Sequence, residues 1–381
     1  MRAIGLLFLL AATGAANESS LAKAQELFDQ KSYAQAAVLL EKALKEDPER
    51  GDVHALLGHA YFELGRDAAA RAAFGRAVAR GHLTADVLAR LGQIALREKR
   101  LPDAASSLRL AALLAPEDSA LALAAASAAE RAGLFAEAES EYRGLLTADP
   151  SRADVFVRLG NLYLRTKRPD KALPALVTAY HLGSSTAPLA RTIAELYVSR
   201  RDLESAVRWY GRLLLLDPTN AEALRLRCAR LQAAVGDVDG ARKNAETLTK
   251  SKTPALAGDA HLLLGRLAAS EKEIDAAMRH FQAAAKAGRA DLQVHAWLGA
   301  HFRNTGNHAE AVRHLRMRLA EGPMDQSLVR SLVQSLIALQ DLEGARHELL
   351  GMVEHFGMDS HAEALASKIA RAQRAQAPKD G

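Results

Sequence analysis

Alanine and large apolar residues recur along the chain with a period of 34 residues. The same phase holds an alanine in ten successive units, and the residue four positions later is bulky and apolar in most of them, as in Leu40, Phe74 and Leu108. A small residue, such as Gly58 or Gly92, stands twelve positions before the phased alanine. The phased alanines are Ala36, Ala70, Ala104, Ala138, Ala172, Ala206, Ala241, Ala277, Ala311 and Ala345. This spacing indicates a repeated supersecondary unit.

The pattern within each unit predicts two antiparallel helices joined by a short turn. Small residues let two helices approach closely, so Gly58 and Ala70 are predicted to face each other where the helices of one unit cross. Glycines such as Gly65, Gly133 and Gly306 lie between the two halves and suit a helix C-terminus. Each pair leaves one apolar face uncovered, which the next pair can bury. The chain is therefore expected to be an all-α array of stacked helix pairs.

Residues at fixed offsets make the pattern more specific. The second unit carries a Leu-Gly pair followed by tyrosine, alanine, phenylalanine and alanine, at Leu57, Gly58, Tyr61, Ala70, Phe74 and Ala77. This pattern resembles the tetratricopeptide repeat, a helix-turn-helix of about 34 residues, and the resemblance covers roughly residues 17–359. It implies a right-handed α-α superhelical solenoid of about ten repeats with a C-terminal capping helix. It also implies a non-enzymatic scaffold for protein–protein interaction.

The predicted array has one irregular unit and distinct ends. In the seventh unit, near 221–257, the alanine phase slips by one at Ala241, and two further residues enter around 250–256. A hinge between two blocks of repeats and a tolerated loop insertion both fit this irregularity. Residues 360–376 carry apolar residues at helical spacing and are predicted to form the capping helix, whereas 377–381 are predicted to be a disordered tail.

The first sixteen residues, 1–16, have the layout of a secretory signal peptide. A positive charge at Arg2 precedes an apolar run, and small residues follow at Gly14, Ala15 and Ala16. The run is too short to cross a bilayer, which takes roughly 20 residues. Cleavage is expected after Ala16 or Ala15, and no nearby cysteine could carry a lipid anchor. The sequence thus predicts an exported protein of a bacterial periplasm, and a buried first helix is the alternative.

Composition excludes several classes of function. Lysine and arginine total 50 against 45 acidic residues, and the net charge of +5 is too small an excess to indicate a nucleic-acid partner. Cys228 is the single cysteine, so the chain can form neither an intrachain disulfide nor a cysteine-based zinc site. We predict that Cys228 is a buried small apolar residue rather than a reactive thiol.

No catalytic or metal-binding motif stands out in the sequence. Gly-rich phosphate loops and the nucleophile elbow of hydrolases are absent. His347 and Glu348 begin the nearest match to a metalloprotease motif, but Gly351 stands where the second histidine is needed. Further histidines gather late in the chain, at His280, His295, His301, His308, His314, His355 and His361. Several are six residues apart and so lie on different faces of a helix. We therefore expect no enzyme activity, no metal and no cofactor.

The resemblance also implies where a partner binds. In this family the first helix of each pair lines the inner, concave wall, and certain positions of that helix face a ligand. Those positions hold an arginine in nearly every central unit, at Arg90, Arg97, Arg131, Arg158, Arg165, Arg191, Arg225, Arg266, Arg303 and Arg330, with Asn161 beside them. Guanidinium groups favour carboxylates, phosphates and sulfates. Carboxylates in the same phases, such as Glu130 and Asp259, leave open the alternative of an internally paired face.

One subset of the family clamps a C-terminal carboxylate with lysine, asparagine and arginine side chains from three units. Asn161 matches the first asparagine, but Val157 replaces the lysine and Thr192 the next asparagine, which puts recognition of chaperone tails in doubt. Apolar residues on the same wall favour a helix or an extended peptide, or else pack between first helices. They are Leu56, Phe62, Leu123, Val157, Leu164, Val198, Leu262 and Trp297.

Together these features predict a scaffold that binds a protein or peptide segment, with an acidic segment favoured by the arginines. The resemblance implies that such a scaffold supports assembly of an envelope, secretion or export complex. The alternative is an acidic glycan or cell-wall polymer held by the arginine-lined groove. Neither a nucleic-acid partner nor a membrane span is expected.

Overall fold

The computed structural model describes residues 18–376, and all regular secondary structure in that range is helical. The first ten helices are α1 (18–29), α2 (Tyr33–Glu46), α3 (Gly51–Glu63), α4 (Asp67–Ala79), α5 (Ala85–Arg97), α6 (Leu101–Leu114), α7 (Ser119–Arg131), α8 (Phe135–Ala148), α9 (Ala153–Arg165) and α10 (Pro169–His181). From α2 to α10, successive helices pack against each other across short turns, which makes neighbours antiparallel.

Eleven further helices follow along the part of the chain that the structure describes. They are α11 (Ala187–Ser199), α12 (Leu203–Leu216), α13 (Ala221–Ala234), α14 (Val238–Leu248), α15 (Pro254–Ser270), α16 (Ile274–Lys286), α17 (Leu292–Asn304), α18 (His308–Glu321), α19 (Gln326–Ala338), α20 (Leu342–Phe356) and α21 (Ser360–Gln376). A 3-10 turn, Pro218–Asn220, precedes α13. The predicted all-α solenoid of helix pairs is confirmed.

The chain divides into two compact units. The first unit ends at Leu189 and the second begins at Ala190, so the boundary lies close to the start of α11. It does not coincide with the irregular seventh repeat. There the additional residues lengthen α15 to 17 residues, while α14 has only 11.

Phased alanines and glycines set the contact between the two helices of each pair. All ten phased alanines have no exposed surface. Each glycine that precedes them lies against the bulky residue four positions after the alanine: a Cβ atom on Gly58 would be 2.5 Å from Phe74 Cδ1, and one on Gly92 would be 2.6 Å from Leu108 Cγ. The phased alanine lies beside the glycine as well, since a Cβ atom on Gly92 would be 3.4 Å from Ala104 O and one on Gly160 would be 3.6 Å from Ala172 O. The structure adds a contact that was not predicted, in which the small residue on one helix receives a large side chain from the other.

The turn inside each helix pair contains one residue in the left-handed region. Gly65, Gly133 and Gly306, which were predicted there from sequence, have φ angles of 71°, 77° and 81°. In each turn the next N–H donates to a carbonyl five residues earlier, as in the 2.9 Å bond from Arg66 N to Tyr61 O, so the helix ends in a Schellman motif. Six repeats place a larger residue at the same position, at Lys31, Lys99, Lys167, Arg201, Lys272 and Gln340.

The last helix, α21, packs on α19 and α20. It buries Ala362, Leu365 and Ile369 against the end of the tenth helix pair. The predicted signal peptide, 1–16, and the predicted disordered tail, 377–381, lie outside the described residues. Every helix within 18–376 is too short or too polar to span a membrane.

Candidate functional site

Six of the predicted partner-binding residues lie on first helices of the first unit. Arg90 and Arg97 are on α5, Arg131 ends α7, and Arg158 and Arg165 are on α9 together with Asn161. The spacing of Arg158, Asn161 and Arg165 follows the i, i+3, i+7 rule and places all three on one side of α9. We call this surface the first-helix face; it is defined by Arg90, Arg97, Arg131, Arg158, Asn161 and Arg165.

Arg90 and Arg97 converge on one aromatic ring at the α5 end of the first-helix face. Their guanidinium carbons lie 4.6 Å and 4.3 Å from the centre of the Phe62 ring. Arg97 Nη1 forms an ion pair of 2.8 Å with Asp67 Oδ1, and Arg90 lies 3.8 Å from Asp86 and 3.9 Å from Glu63. Both arginines are therefore already compensated by carboxylates and by Phe62.

Arg165 connects α9 to α7 by a second ion pair. Its Nη1 lies 2.6 Å from Glu130 Oε1, and the guanidinium also covers the ring of Phe135 at 5.2 Å. The other oxygen of Glu130 accepts a 3.0 Å hydrogen bond from Tyr142 OH. Burial raises the pKa of the Tyr142 hydroxyl, so it stays a donor at neutral pH. These contacts position the Arg165 side chain, and Glu130 compensates its charge.

Arg131 and Arg158 differ from these neighbours. Both side chains are exposed, and neither has a carboxylate within ion-pair distance in the part of the chain that the structure describes. Arg158 Nη1 makes only a long hydrogen bond of 3.4 Å to Ser127 Oγ on α7. Arg131 follows Ser127 by one helical turn, so Arg131 and Arg158 lie on the same side of the α7–α9 contact. Asn161 is exposed between Arg158 and Arg165.

Most of the predicted arginines of the second unit also form ion pairs or hydrogen bonds with neighbouring side chains. Arg191 Nη2 lies 3.1 Å from Asp217 Oδ2, and ion pairs join Arg266 to Asp291 and Arg330 to Asp359. Two others donate to neutral side chains: Arg225 to Asn244 Oδ1 at 3.2 Å, and Arg303 to Asn304 Oδ1 at 3.0 Å and to Ser331 Oγ. Among the ten predicted arginines, all within the described range, six form ion pairs with carboxylates.

Apolar residues predicted on the same wall contribute mainly to the helical packing. Phe62 is 6% exposed, and Leu123 and Leu164 are half-buried against the core that α7, α8 and α9 share. In the second unit, Leu262 and Trp297 pack against the core cluster that contains Phe281. These residues therefore support the first-helix positions rather than form a continuous apolar groove.

A partly buried carboxylate joins three elements of the second unit. Asp259 on α15 accepts from Arg289 at 2.6 Å and 2.9 Å, and Arg230 Nη2 on α13 lies 3.1 Å away. Burial by itself raises the pKa of Asp259, but the hydrogen bonds and charges of Arg289 and Arg230 hold this pKa below its usual value. This cluster links the irregular seventh repeat to the eighth.

Two histidine pairs were missed in the sequence. His261 and His280 bring their Nδ1 atoms to 3.0 Å, and one repeat later His295 and His314 bring theirs to 2.9 Å. Partners are 19 residues apart and lie on the two helices of one pair. Spacings within one helix do not reveal these pairs, because a separation of 19 residues brings side chains together only across the turn between two helices. The signal available was that both histidines recur after 34 residues.

The paired nitrogens point directly at each other. The ring centres of His261 and His280 are 5.3 Å apart, whereas their Nδ1 atoms are 3.0 Å apart. The difference is about equal to the distance from ring centre to Nδ1, counted once for each ring. Both Nδ1 atoms therefore lie close to the line that joins the ring centres, as in one N–H···N hydrogen bond. Within 18–376, no group of three or more His, Cys, Asp or Glu side chains is placed to hold a metal ion.

Cys228 is buried on α13, at 4% exposure. Burial raises the pKa of its thiol, with a smaller contribution from Asp237. A neutral thiol in this position is a poor nucleophile.

Comparisons with known proteins agree with this architecture. Models of the tetratricopeptide repeat match residues 27–94, 123–185 and 228–291, which together make up just over half of the chain. No curated protein matches.

Solved structures with similar helical arrays share little sequence with this chain. YrrB, described as a TPR protein with an unusual peptide-binding site, is 22% identical over 43% of this chain and 84% of its own, with a TM-score of 0.40. The C-terminal part of a TPR protein from Cytophaga hutchinsonii is 14% identical over 63% and 98%, with a TM-score of 0.45. The Naa15/Naa10 complex bound to HypK-THB is 14% identical over 94% and 66%, with a TM-score of 0.47.

Proposed function

Because the chain belongs to the tetratricopeptide repeat family, whose members are typically non-catalytic scaffolds, we propose that it binds a protein segment on the first-helix face of its first unit. The segment carries at least one acidic side chain. Binding involves no chemical step, because the contacts available are hydrogen bonds, charges and apolar packing. The rigid helix pairs present those contacts in a fixed arrangement, which keeps the entropic cost of binding low.

The unpaired guanidinium groups of Arg131 and Arg158 carry this proposal. Their neighbours Arg97 and Arg165 already hold carboxylates, so the charge left over on this face is concentrated at Arg131 and Arg158. A guanidinium fork binds a carboxylate with two parallel hydrogen bonds. An acidic side chain of a partner therefore has two well-defined positions to occupy.

Asn161 supplies a different type of contact on the same side of α9. Its carboxamide offers both a donor and an acceptor, which together match one backbone peptide group of a bound segment. It is exposed. A partner that reaches Arg158 with a side chain can thus place its main chain against Asn161, which favours an extended peptide over a rigid surface.

The pairing of most arginines disfavours an acidic polymer as the main ligand. A polyanion is held by a continuous row of uncompensated positive charges. Along the first-helix face, Arg90, Arg97 and Arg165 are compensated by carboxylates. Two separated unpaired arginines are better matched by a peptide with one or two acidic residues.

The proposal extends to location and pathway. The predicted signal peptide, 1–16, supports export to a bacterial periplasm. A scaffold there acts by bringing partners together, so we propose a role in assembling an envelope, secretion or export complex. The partner segment itself is then expected to belong to an exported or membrane protein with a periplasmic part.

Site-specific photocrosslinking tests the location of the binding face. A photoreactive residue replaces Asn161 in one protein and Ser140 on α8 in a second protein, and both are mixed with solubilised cell envelopes. The proposal predicts one defined protein adduct from position 161 and none of that species from position 140. Combining the probe at 161 with Arg131→Ala and Arg158→Ala should abolish the adduct.

A second double variant separates loss of these contacts from loss of charge in general. Lys42→Ala with Arg143→Ala removes the same charge from exposed positions on second helices of the first unit, and we expect it to crosslink as well as the parent protein. Adducts that form equally at 161 and 140 would refute the proposed face. Recovery of glycan alone, released by salt, would establish the polymer alternative instead.

A further inference from the structure

A cleft of about 510 Å³ opens between the second helices α2 and α4 of the first unit, with α3 as its floor. Leu44 and Leu57 provide apolar surface in it. On the α4 side, the small side chains of Ala69, Ala72 and Ala73 leave the space open. The volume is in the range of small-molecule sites, which is roughly 300–1,000 Å³.

Positive charge dominates the lining of this cleft. Lys45 on α2, with Arg76 and Arg80 at the α4 side, contribute three cations, and Glu41 is the only acidic residue in the lining. Among the residues that the structure describes, neither Lys45 nor Arg76 has an ion-pair partner. Glu41 accepts a hydrogen bond from Tyr61 OH. Burial, reinforced by Glu41, raises the pKa of Tyr61 to about 12, so this donor is retained at neutral pH.

Two polar atoms in the lining are buried without a hydrogen-bond partner. Arg80 pairs with Glu49 through Nη2 at 3.1 Å, but its Nε–H has no acceptor. His54, which is 4% exposed, contacts Pro48 O through Nε2 at 3.0 Å and leaves Nδ1 without a partner. Buried groups of this kind are rare in folded proteins and point to a bound water or ligand group.

An equivalent cleft three repeats later shows what is particular to the first one. It lies between α8 and α10 and measures about 380 Å³. Its Tyr163 corresponds to Tyr61, but Pro174 replaces Ala72, and Thr178 replaces Arg76. Arg143 and Lys171 supply cations to this second cleft, and Lys171 lies 4.0 Å from Glu139. The α2–α4 cleft therefore differs in its larger volume and in the cation at position 76.

We propose that the α2–α4 cleft binds a small organic anion, in which a carboxylate or phosphate group contacts Arg76, Arg80 and Lys45 and a compact apolar body lies on Leu44, Leu57 and Ala73. The anionic group meets two cations that have no other partner, and it can accept from Arg80 Nε after a small movement of the side chain. The apolar body displaces water from the floor. This site is formed by second helices and is separate from the first-helix face.

Fluorescence titration with 1-anilinonaphthalene-8-sulfonate tests this site, because the dye combines an anionic group with an apolar body and brightens when shielded from water. We expect one site per chain. Lys45→Ala with Arg76→Ala should weaken dye binding by about tenfold or more, since charge-assisted contacts are lost. Ala72→Leu should weaken it by filling the cleft. Arg143→Ala with Lys171→Ala removes the same charge from the equivalent cleft and should leave binding unchanged.

Competition identifies the ligand chemistry. Decanoate and decyl phosphate should displace the dye, and decanol, which has the same apolar chain without charge, should not. The tighter of the two anions distinguishes a carboxylate ligand from a phosphate ligand. The proposal would be overturned if both double variants bound the dye equally or if Ala72→Leu had no effect. It would also be overturned if decanol displaced the dye as readily as decanoate does.

Discussion

Gly160 on α9 lies directly against Leu176 on α10, so closely that a Cβ atom on residue 160 would be 2.4 Å from Leu176 Cδ2. The same relation joins Gly265 to Phe281 and Gly299 to Leu315 in the second unit. In each case the glycine makes room for the bulky residue four positions after a fully buried alanine. This packing of a small residue against a large one explains why both positions recur with the repeat.

Gly160→Ala should therefore destabilise the protein. The added methyl group must push Leu176 or the backbone of α10 aside, and overpacking of this kind costs about 1–3 kcal/mol. The free energy of unfolding in urea, followed by circular dichroism, measures this cost. Gly144→Ala on α8 is the matched control, because its Cβ meets nothing within 4 Å. We expect that control to stabilise the protein by about 0.5–1 kcal/mol through helix propensity, and equal effects of both variants would contradict the packing.

Opposite substitutions in two turns should have opposite effects on stability. Gly133 has φ of 77° and Lys167 has φ of 57°, each at the left-handed position that ends a first helix. Gly133→Ala introduces a Cβ where it is strained and should cost about 1 kcal/mol, whereas Lys167→Gly should relieve a similar strain and stabilise the protein by up to about 1 kcal/mol. Thermal unfolding of both variants measures the difference. A loss of stability in both would show that Lys167 makes a compensating contact.

Acid should weaken the second unit before the first. Burial lowers the pKa of His261 and His295, and burial together with the partner histidine lowers the pKa of His280 and His314. Because these pKa values lie below the unfolded value of 6.5, the unfolded chain binds more protons on acidification. The stabilisation is complete above the unfolded pKa and is lost as the pH falls below it.

Neighbouring charges influence how each pair takes up a proton. Arg279 and Arg242 oppose protonation of His280 and Glu246 favours it. Around the second pair, Arg313 opposes protonation, whereas Glu310, Glu321 and Asp291 favour it. Hydrogen exchange of α15–α18 between about pH 7 and about pH 5 measures the local effect. His295→Gln with His314→Gln should flatten the pH dependence in α17 and α18, and an unchanged profile would rule out these groups as its cause.

Leu365 should be essential for the stability of the C-terminal end. It is 4% exposed and packs with Ile369 into the core formed by α19, α20 and α21. Leu365→Ala should cost about 2–5 kcal/mol, as large-to-small changes in cores do. Lys368→Ala on the exposed side of α21 should change stability by less than about 0.5 kcal/mol. Proteolysis of α21 at equal rates in both variants would show that this helix contributes little to the core.

The sequence was sufficient for the repeat but not for all of its geometry. The 34-residue period and the sizes of the residues predict the helix pairs. Buried alanines, and glycines that contact a leucine of the other helix, recur at fixed positions of the repeat and can be recognised in the sequence. The left-handed turn residues were predicted only where they are glycines. Lys99 and Gln340 adopt the same left-handed backbone conformation in their turns. Neither residue type favours that conformation, so the sequence does not indicate it.

Side-chain pairing was harder to predict than helix pairing. An arginine that forms an ion pair, such as Arg97, and one that does not, such as Arg158, occupy positions of the same kind in the sequence. The difference depends on which carboxylate the neighbouring repeat presents, and it therefore appears only in three dimensions. The histidine pairs and the α2–α4 cleft are of the same type, since each depends on residues brought together across a turn or between repeats.

The affinity of the crosslinked partner segment tests the central claim most directly. A labelled peptide of that segment is titrated by fluorescence anisotropy against the parent protein, against Arg131→Ala with Arg158→Ala, and against Lys42→Ala with Arg143→Ala. Binding on the first-helix face predicts that only the first double variant loses affinity, by about tenfold or more, because charge-assisted hydrogen bonds are removed. Equal affinity for both double variants would place the binding site elsewhere and contradict the account.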